Sequence, residues 1–295
     1  GKLATLQPLS PIPHLHLAEI QLTLKDKAAA IASLRKALEL KHDFLDAQRG
    51  LIVVYLDDGK TKEASAMVKE IQEQRPKEAI GLLLEGDIAL HNKAPADAIG
   101  AYRRALKLAP GSTELALKLH RALGVAGSKG DADKLAATWV KENPKDLAFR
   151  NYLADSALAR RDFPGAIQIL KGMLEIDPNH PITLNNLAWA AGQVKDPKAV
   201  EYAERALKAA PNQPQIIDTL AMLLAEKGDL PRALELSKQA LDLSQQAPTL
   251  RLNYARILLK AGKKAEARGE LETLAKLGDR FPEQGEVGKL LKDAQ

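Results

Sequence analysis

Residues 79–112 read AIGLLLEGDIALHNKAPADAIGAYRRALKLAPGS, and this stretch decides the fold. Its first part, Ile80–Leu90, is apolar at helical spacing and runs out near Asn92 and Lys93. Pro95 opens a second helix through Leu108, which stops at Pro110–Gly111. Proline's fixed φ and missing N–H suit a first helical turn and obstruct an interior one. A helix of about 14 residues is roughly 21 Å long, and two of them joined by so short a turn must run antiparallel. The unit recurs in both directions along the chain. Ala30, Ala64, Ala98, Ala132 and Ala166 are 34 residues apart, Ala199 follows after 33, and Ala233 and Ala267 after 34 each. Pro76, Pro110, Pro144 and Pro178 keep the same 34, and Pro211 follows after 33. Two residue types therefore share one period and one deletion.

The small residues have a packing role. Alanine at every period lets the second helix approach the first, and Ala18, Gly86, Ala154, Ala188, Ala221 and Ala255 supply the matching small surface. Leu17, Leu51, Leu153, Leu187 and Leu220 fill the seams. Gly59, Gly127, Gly228 and Gly262 fall at the turn inside the pair, where a left-handed residue closes a helix.

Composition narrows the function. Of the 295 residues 45% are hydrophobic and 27% charged, as in an ordinary folded chain, while aromatics at 4% argue against a core of large rings. The absence of cysteine removes disulfides, thiolate zinc sites and cysteine nucleophiles. No run approaches 18 apolar residues, so no transmembrane segment is expected. A net charge of +5 is mild, and clusters such as Lys60–Lys62 and Lys263–Lys264 sit beside acids, so no nucleic-acid partner is expected. The six histidines show no metal-ligand spacing, and Gly59–Lys60–Thr61 lacks the upstream glycine of a phosphate loop, since Val54 stands there. No catalytic residue, metal site or cofactor is expected.

The order apolar–small in the first helix, alanine opening the second, a small residue seven later and then proline resembles the tetratricopeptide repeat. It reads Leu153–Ala154, Ala166, Met173, Pro178 and again Leu187–Ala188, Ala199, Ala206, Pro211. The resemblance implies an all-α fold, a tetratricopeptide α-solenoid that is a right-handed superhelix of stacked antiparallel helix pairs. Eight copies are expected at 11–44, 45–78, 79–112, 113–146, 147–180, 181–213, 214–247 and 248–281. Residues 282–295 form a C-terminal capping helix, with Val287, Leu290 and Leu291 as its apolar edge. Residues 1–10 read as the remnant of a preceding repeat or as an added or processed end, making this the C-terminal part of a longer array. His120 and Trp139 stand where small residues are usual, which predicts looser or bent stacking in the fourth copy. The missing residue in the copy from 181 predicts a tighter turn around Lys195–Asp196.

In this family the second, fifth, sixth, ninth and thirteenth positions tend to face a concave groove. Carried over, they give a ligand groove of Asn151, Tyr152, Asp155, Asn185, Asn186, Trp189, Asp218, Thr219, Asn253 and Arg256. Asparagine both gives and accepts hydrogen bonds, which suits an extended peptide, and aromatic rings suit binding hot spots. In the early copies Leu15, Val53, Leu83 and Leu84 make the same face more apolar. The ninth positions there, Glu19, Val53, Asp87 and Arg121, do not fit the chaperone-tail clamp of some cytosolic relatives.

A further likeness rests on Asn179–His180–Pro181, Asn186–Leu187–Ala188–Trp189–Ala190, Lys195–Asp196–Pro197–Lys198–Ala199, Asp218–Thr219–Leu220, Ala247–Pro248–Thr249, Arg251–Leu252 and Arg280–Phe281–Pro282–Glu283–Gln284. Over roughly 175–295 the chain resembles bacterial tetratricopeptide lipoproteins of PEP-CTERM/exosortase systems, associated with exopolysaccharide export. That resemblance implies a periplasmic scaffold anchored to the outer membrane by a lipidated N-terminus upstream of Gly1. Its expected partner is a protein or peptide in the groove, with direct polysaccharide contact as the alternative and a cytoplasmic adaptor as the other.

Overall fold

The computed structural model describes residues 7–295; residues 1–6 of the expected N-terminal remnant lie outside the described residues, and residues 7–10 carry no helix. Among the described residues there are seventeen α-helices and no strand. They run α1 (Ile12–Thr23), α2 (Lys27–Leu40), α3 (Leu45–Asp57), α4 (Thr61–Gln74), α5 (Ile80–His91), α6 (Pro95–Leu108), α7 (Thr113–Val125), α8 (Lys129–Glu142) and α9 (Leu147–Ala159). There follow α10 (Phe163–Leu174), α11 (Pro181–Gln193), α12 (Ala199–Ala209), α13 (Pro214–Lys227), α14 (Leu230–Leu243), α15 (Pro248–Lys260), α16 (Lys264–Ala275) and α17 (Gln284–Asp293). The chain forms two compact units, Gly1–Phe149 and Arg150–Gln295. Within each, successive helices pack as hairpins and each hairpin packs on the next, as in a tetratricopeptide solenoid.

The turn inside every hairpin is built the same way. Lys25, Gly59, Lys93, Gly127, Arg161, Lys195, Gly228 and Gly262 all have positive φ, between 56° and 91°. Their spacing repeats the alanine period, including its one 33-residue step. Four copies meet the left-handed requirement with glycine, and four force a lysine or arginine into it against its Cβ.

Alanines at the helix crossings are buried: Ala30, Ala64, Ala98, Ala166, Ala233 and Ala267 are fully sealed, with Ala132 and Ala199 nearly so. In the third copy the volumes are exchanged. A Cβ added at Gly86 would fall inside the van der Waals shell of the buried Tyr102 ring. In the fourth copy His120 takes Gly86's place and Ala136 takes that of Tyr102. There the aromatics make a cluster of their own: Phe149 meets the His120 ring edge-on at 6.1 Å and tilts against Trp139 at 5.7 Å.

The copy from 181 differs from expectation. Its turn is not tightened; α12 starts at Ala199 itself, whereas α10 and α14 start three residues before their alanine. Asp196 explains the late start. Its side chain accepts from the Lys198 amide at 2.9 Å and its carbonyl from Ala199 at 3.1 Å, so the deletion removes helix rather than loop. At the C-terminus α17 seals the last hairpin: Val287 and Phe281 share a core with Leu252, Leu271 and Leu274, and Leu290 and Leu291 pack at its edge. The bulk of Leu274 at a usually small position is thereby used.

Candidate functional site

In the second unit the first helices of the last copies, α11, α13 and α15, lie side by side, followed by α17. Helix α11, PITLNNLAWAAGQ, carries no charged residue. It is started by His180, whose Nδ1 accepts from the Thr183 amide at 3.2 Å. At helical spacing Ile182, Asn185, Asn186 and Trp189 share one face. Trp189 is 40% exposed and is propped edge-on by Phe163 of α10, ring centres 5.4 Å apart. Asn185 and Asn186 are half-buried, and Asn185 Oδ1 is sealed from solvent without a donor.

Across α13, α15 and α17 the structure joins three of the expected residues into one polar chain. Asn253 Nδ2 donates to Asp218 Oδ2 at 2.6 Å, and Arg256 donates to Asn253 Oδ1 at 2.5 Å. The Arg256 guanidinium also forks onto Glu286, at 2.9 and 2.7 Å. Asp218 is 8% exposed and Asn253 9%. Asp218 Oδ1 has no donor. Burial pushes the Asp218 carboxyl up to about 6, although Asn253 and Arg256 pull the other way.

Thr219, Asn151 and Asp155 make no hydrogen bond to this chain among the described residues. Thr219 turns its hydroxyl back onto the Gln215 carbonyl of its own helix at 2.9 Å. Asn151 and Asp155 are exposed on α9 and Tyr152 is half-buried there; no hydrogen bond among the described residues ties Asn151 or Asp155 to Asp218. Glu286, Phe163 and Ile182 were not foreseen. Counting the cap in register from 282 would have found Glu286, which falls at the fifth position, as Asp218 does in its copy.

The first unit treats the equivalent positions differently. Leu83 and Leu84 are core, Leu15 is half-buried, and Val53 alone of the four is open, at 62%. Asp87 accepts from the Tyr102 hydroxyl at 2.6 Å and from Lys118 at 2.7 Å. Glu85 is engaged by Gln72 and Arg104. Among the described residues no group of three or more His, Asp or Glu could hold a metal ion, and no helix is long and apolar enough to cross a membrane.

Family models described as tetratricopeptide repeat match residues 14–44, 50–113, 117–181 and 224–285, between them most of the chain. Cellulose synthase operon protein C of Xanthomonas axonopodis pv. citri (strain 306) is 28% identical over 295 residues, 91% of this chain and 19% of that protein. Anaphase-promoting complex subunit 7 of Arabidopsis thaliana is 31% identical over 180 residues, 60% of this chain and 32% of that protein. The chain thus spans about a fifth and a third of these relatives' lengths. Among solved structures, that of the APC/C hetero-tetramer Cut9–Hcn1 superposes with a TM-score of 0.52 and 16% identity, covering 95% of this chain and 55% of that one. The structure of MamA gives 0.44 and 20%, covering 55% and 95%. The likeness to Cut9–Hcn1 is one of fold.

Proposed function

The chain belongs to the tetratricopeptide repeat family, and from that premise we propose that it is a non-enzymatic scaffold binding a protein partner on the α11–α13–α15 face. One observation carries the reading. This face holds an exposed tryptophan on the same side of α11 as the half-buried amides of Asn185 and Asn186. An exposed, braced indole offers apolar area at small conformational cost.

The setting we favour is a bacterial envelope assembly for exopolysaccharide export, periplasmic and held to the outer membrane by a lipidated N-terminus. The name of the Xanthomonas relative, a cellulose synthase operon protein, supports the exopolysaccharide link; the likeness of 175–295 to PEP-CTERM-system lipoproteins supports the anchor. A second reading, direct sugar contact, draws on Trp189 and Tyr152 as stacking rings and on the asparagines as hydrogen-bonding groups. The relationship to an anaphase-promoting complex subunit favours a protein assembly instead.

The test is a pull-down from envelope extracts with the chain and with its Asn185→Ala/Asn186→Ala and Trp189→Ala variants. The expected result is a protein captured by the parent and lost, by at least fivefold, from both variants. Undiminished capture by the variants would place the binding surface elsewhere. Retention of soluble exopolysaccharide that is lost on Trp189→Ala, with no protein captured, would favour the sugar reading.

A further inference from the structure

Although the chain as a whole is basic, at +5, the α11–α13–α15 face offers a partner no unmatched charge. Helix α11 carries no charged residue at all. Of the charges assigned to this face on α13 and α15, Arg256 meets Glu286 at 2.7 Å and Lys260 meets Glu226 at 2.9 Å. Asp218 is 8% exposed, with Oδ1 sealed and Oδ2 taken by Asn253, so nothing from outside reaches it. What lies open is neutral: Trp189 and Gln193 on α11 are exposed, and Asn186 of α11 with Thr219 and Met222 of α13 are half-buried. The Thr219 hydroxyl donates to the Gln215 carbonyl, and its oxygen keeps a lone pair for a further donor. The two helices approach closely, since a Cβ added at Gly192 would fall 2.4 Å from a methyl of Leu223.

We propose that this face takes an extended, uncharged segment of a partner protein, bonded through its backbone and resting an apolar side chain on Trp189. The inference rests on the protein-scaffold reading above and deepens it by naming the segment's charge and conformation. The charge follows from the surface. A lysine or glutamate brought here would lose water and find no counter-charge, and an unpaired charge is far costlier to desolvate than a neutral amide. The conformation follows from the hydrogen-bonding groups. Amide and hydroxyl side chains pair with peptide N–H and C=O groups. A helical partner has already engaged its own in bonds four residues apart, whereas an extended chain presents a donor and an acceptor at each residue. Alternate residues of an extended chain point the same way, so positions i and i+2 of the segment meet the face together.

The full chain is titrated calorimetrically with end-blocked peptides Ser-Leu-Thr-X-Thr-Leu-Ser in which X is Gln, Lys or Glu, so that X and both leucines share one side. The glutamine peptide should bind at least fivefold tighter than either charged one. Its affinity should change less than twofold between about 50 and about 500 mM NaCl, a range that screens exposed charges strongly. N-methylation of its two threonines, which removes backbone donors and adds no charge, should weaken it at least fivefold, as should Trp189→Ala. Asn186→Asp, and Gln193→Glu at an exposed site that the fold tolerates, should each turn the preference toward lysine. A tighter lysine or glutamate peptide, a tenfold loss in high salt, undiminished binding of the N-methylated peptide, or an unmoved preference in both acidic variants would overturn the inference. If a charged peptide is preferred and its binding is lost with Trp189→Ala, the inference fails and the protein-binding face stands. If cellohexaose binds and no peptide does, or nothing binds at all, both fail.

Discussion

Asp146 in the first unit and Asp218 in the second are both carboxylates withdrawn from water, and they settle on opposite sides of their ordinary range. Burial pushes Asp146 up, but it accepts from the Phe149 amide at 3.0 Å, the Trp139 indole at 2.8 Å and the Thr113 hydroxyl at 2.8 Å, and its carboxyl ends below the ordinary value. Asp218 is buried more deeply, keeps one oxygen bare and ends near 6. The same contrast runs through both units. In the first, Trp139 is 4% exposed, Asp87 and Glu85 have donors, and the ring of Tyr102 fills a glycine's space. In the second, Trp189 is open and acceptors are unfilled. One repeat architecture thus accommodates a unit whose inner carboxylates are filled by its own donors and a unit in which two sealed inner acceptors are not.

The largest effect that could break this contrast comes from the two tryptophans. Trp139→Ala removes a buried ring and should cost about 3–5 kcal/mol. Trp189→Ala should cost under about 1 kcal/mol, because the ring is already partly in water. Urea denaturation of both variants decides it, and equal losses would contradict the division of roles. Overpacking comes next. Ala166→Leu, at a fully sealed crossing, and Gly86→Ala, against the Tyr102 ring, should each cost about 1–3 kcal/mol; an unchanged melting curve for either would contradict the packing register.

Asp218→Asn should act in the other direction, stabilising the chain at neutral pH by about 1–3 kcal/mol. The folded carboxyl titrates near 6 and the unfolded one near ~3.9. Between those values the folded state holds a proton that the unfolded state releases, so stability from this group rises as pH falls through 6 and levels off below 4. Asp146, with its lowered value, contributes stability at neutral pH that is lost as pH falls. Melting curves from pH 4 to 7 should therefore show the acid-side gain in the parent and lose it in Asp218→Asn. A variant that is destabilised at pH 7 would mean that the carboxylate is satisfied after all. The smallest effect concerns the turns. Lys93→Gly should stabilise by a few tenths to about 1 kcal/mol by relieving a left-handed lysine, while Gly59→Ala should cost a similar amount.

The turns also show what could be read in advance. Glycine at 59, 127, 228 and 262 announces its conformation, whereas Lys25, Lys93, Arg161 and Lys195 carry no such mark and are identified only by falling on the same period. Alanine spacing revealed the hairpins because crossing helices tolerate little else. The deletion near 195 was visible, but its place was not, since an Asp196 turn that shortens α12 uses the same residues as a tighter loop would. For the candidate face, the family's inward positions pointed to Trp189, Asn185 and Asp218. They did not distinguish Leu83, which is core, from Val53, which is open, because a position fixes direction and neighbours fix depth. That Asn253 would reach Asp218 and that Glu286 would take Arg256 depended on contacts between copies about 35 and 30 residues apart, which a period cannot supply.

Hydroxyl-radical footprinting of the chain, free and with its captured partner, tests the division between the units most directly. In the free chain Trp189 should oxidise readily and Trp139 hardly at all. With partner bound, Trp189 should be protected severalfold while Val53 in the first unit, 62% exposed, stays reactive. Protection confined to the first unit, with Trp189 as reactive as before, would contradict the assignment of binding to the α11–α13–α15 face.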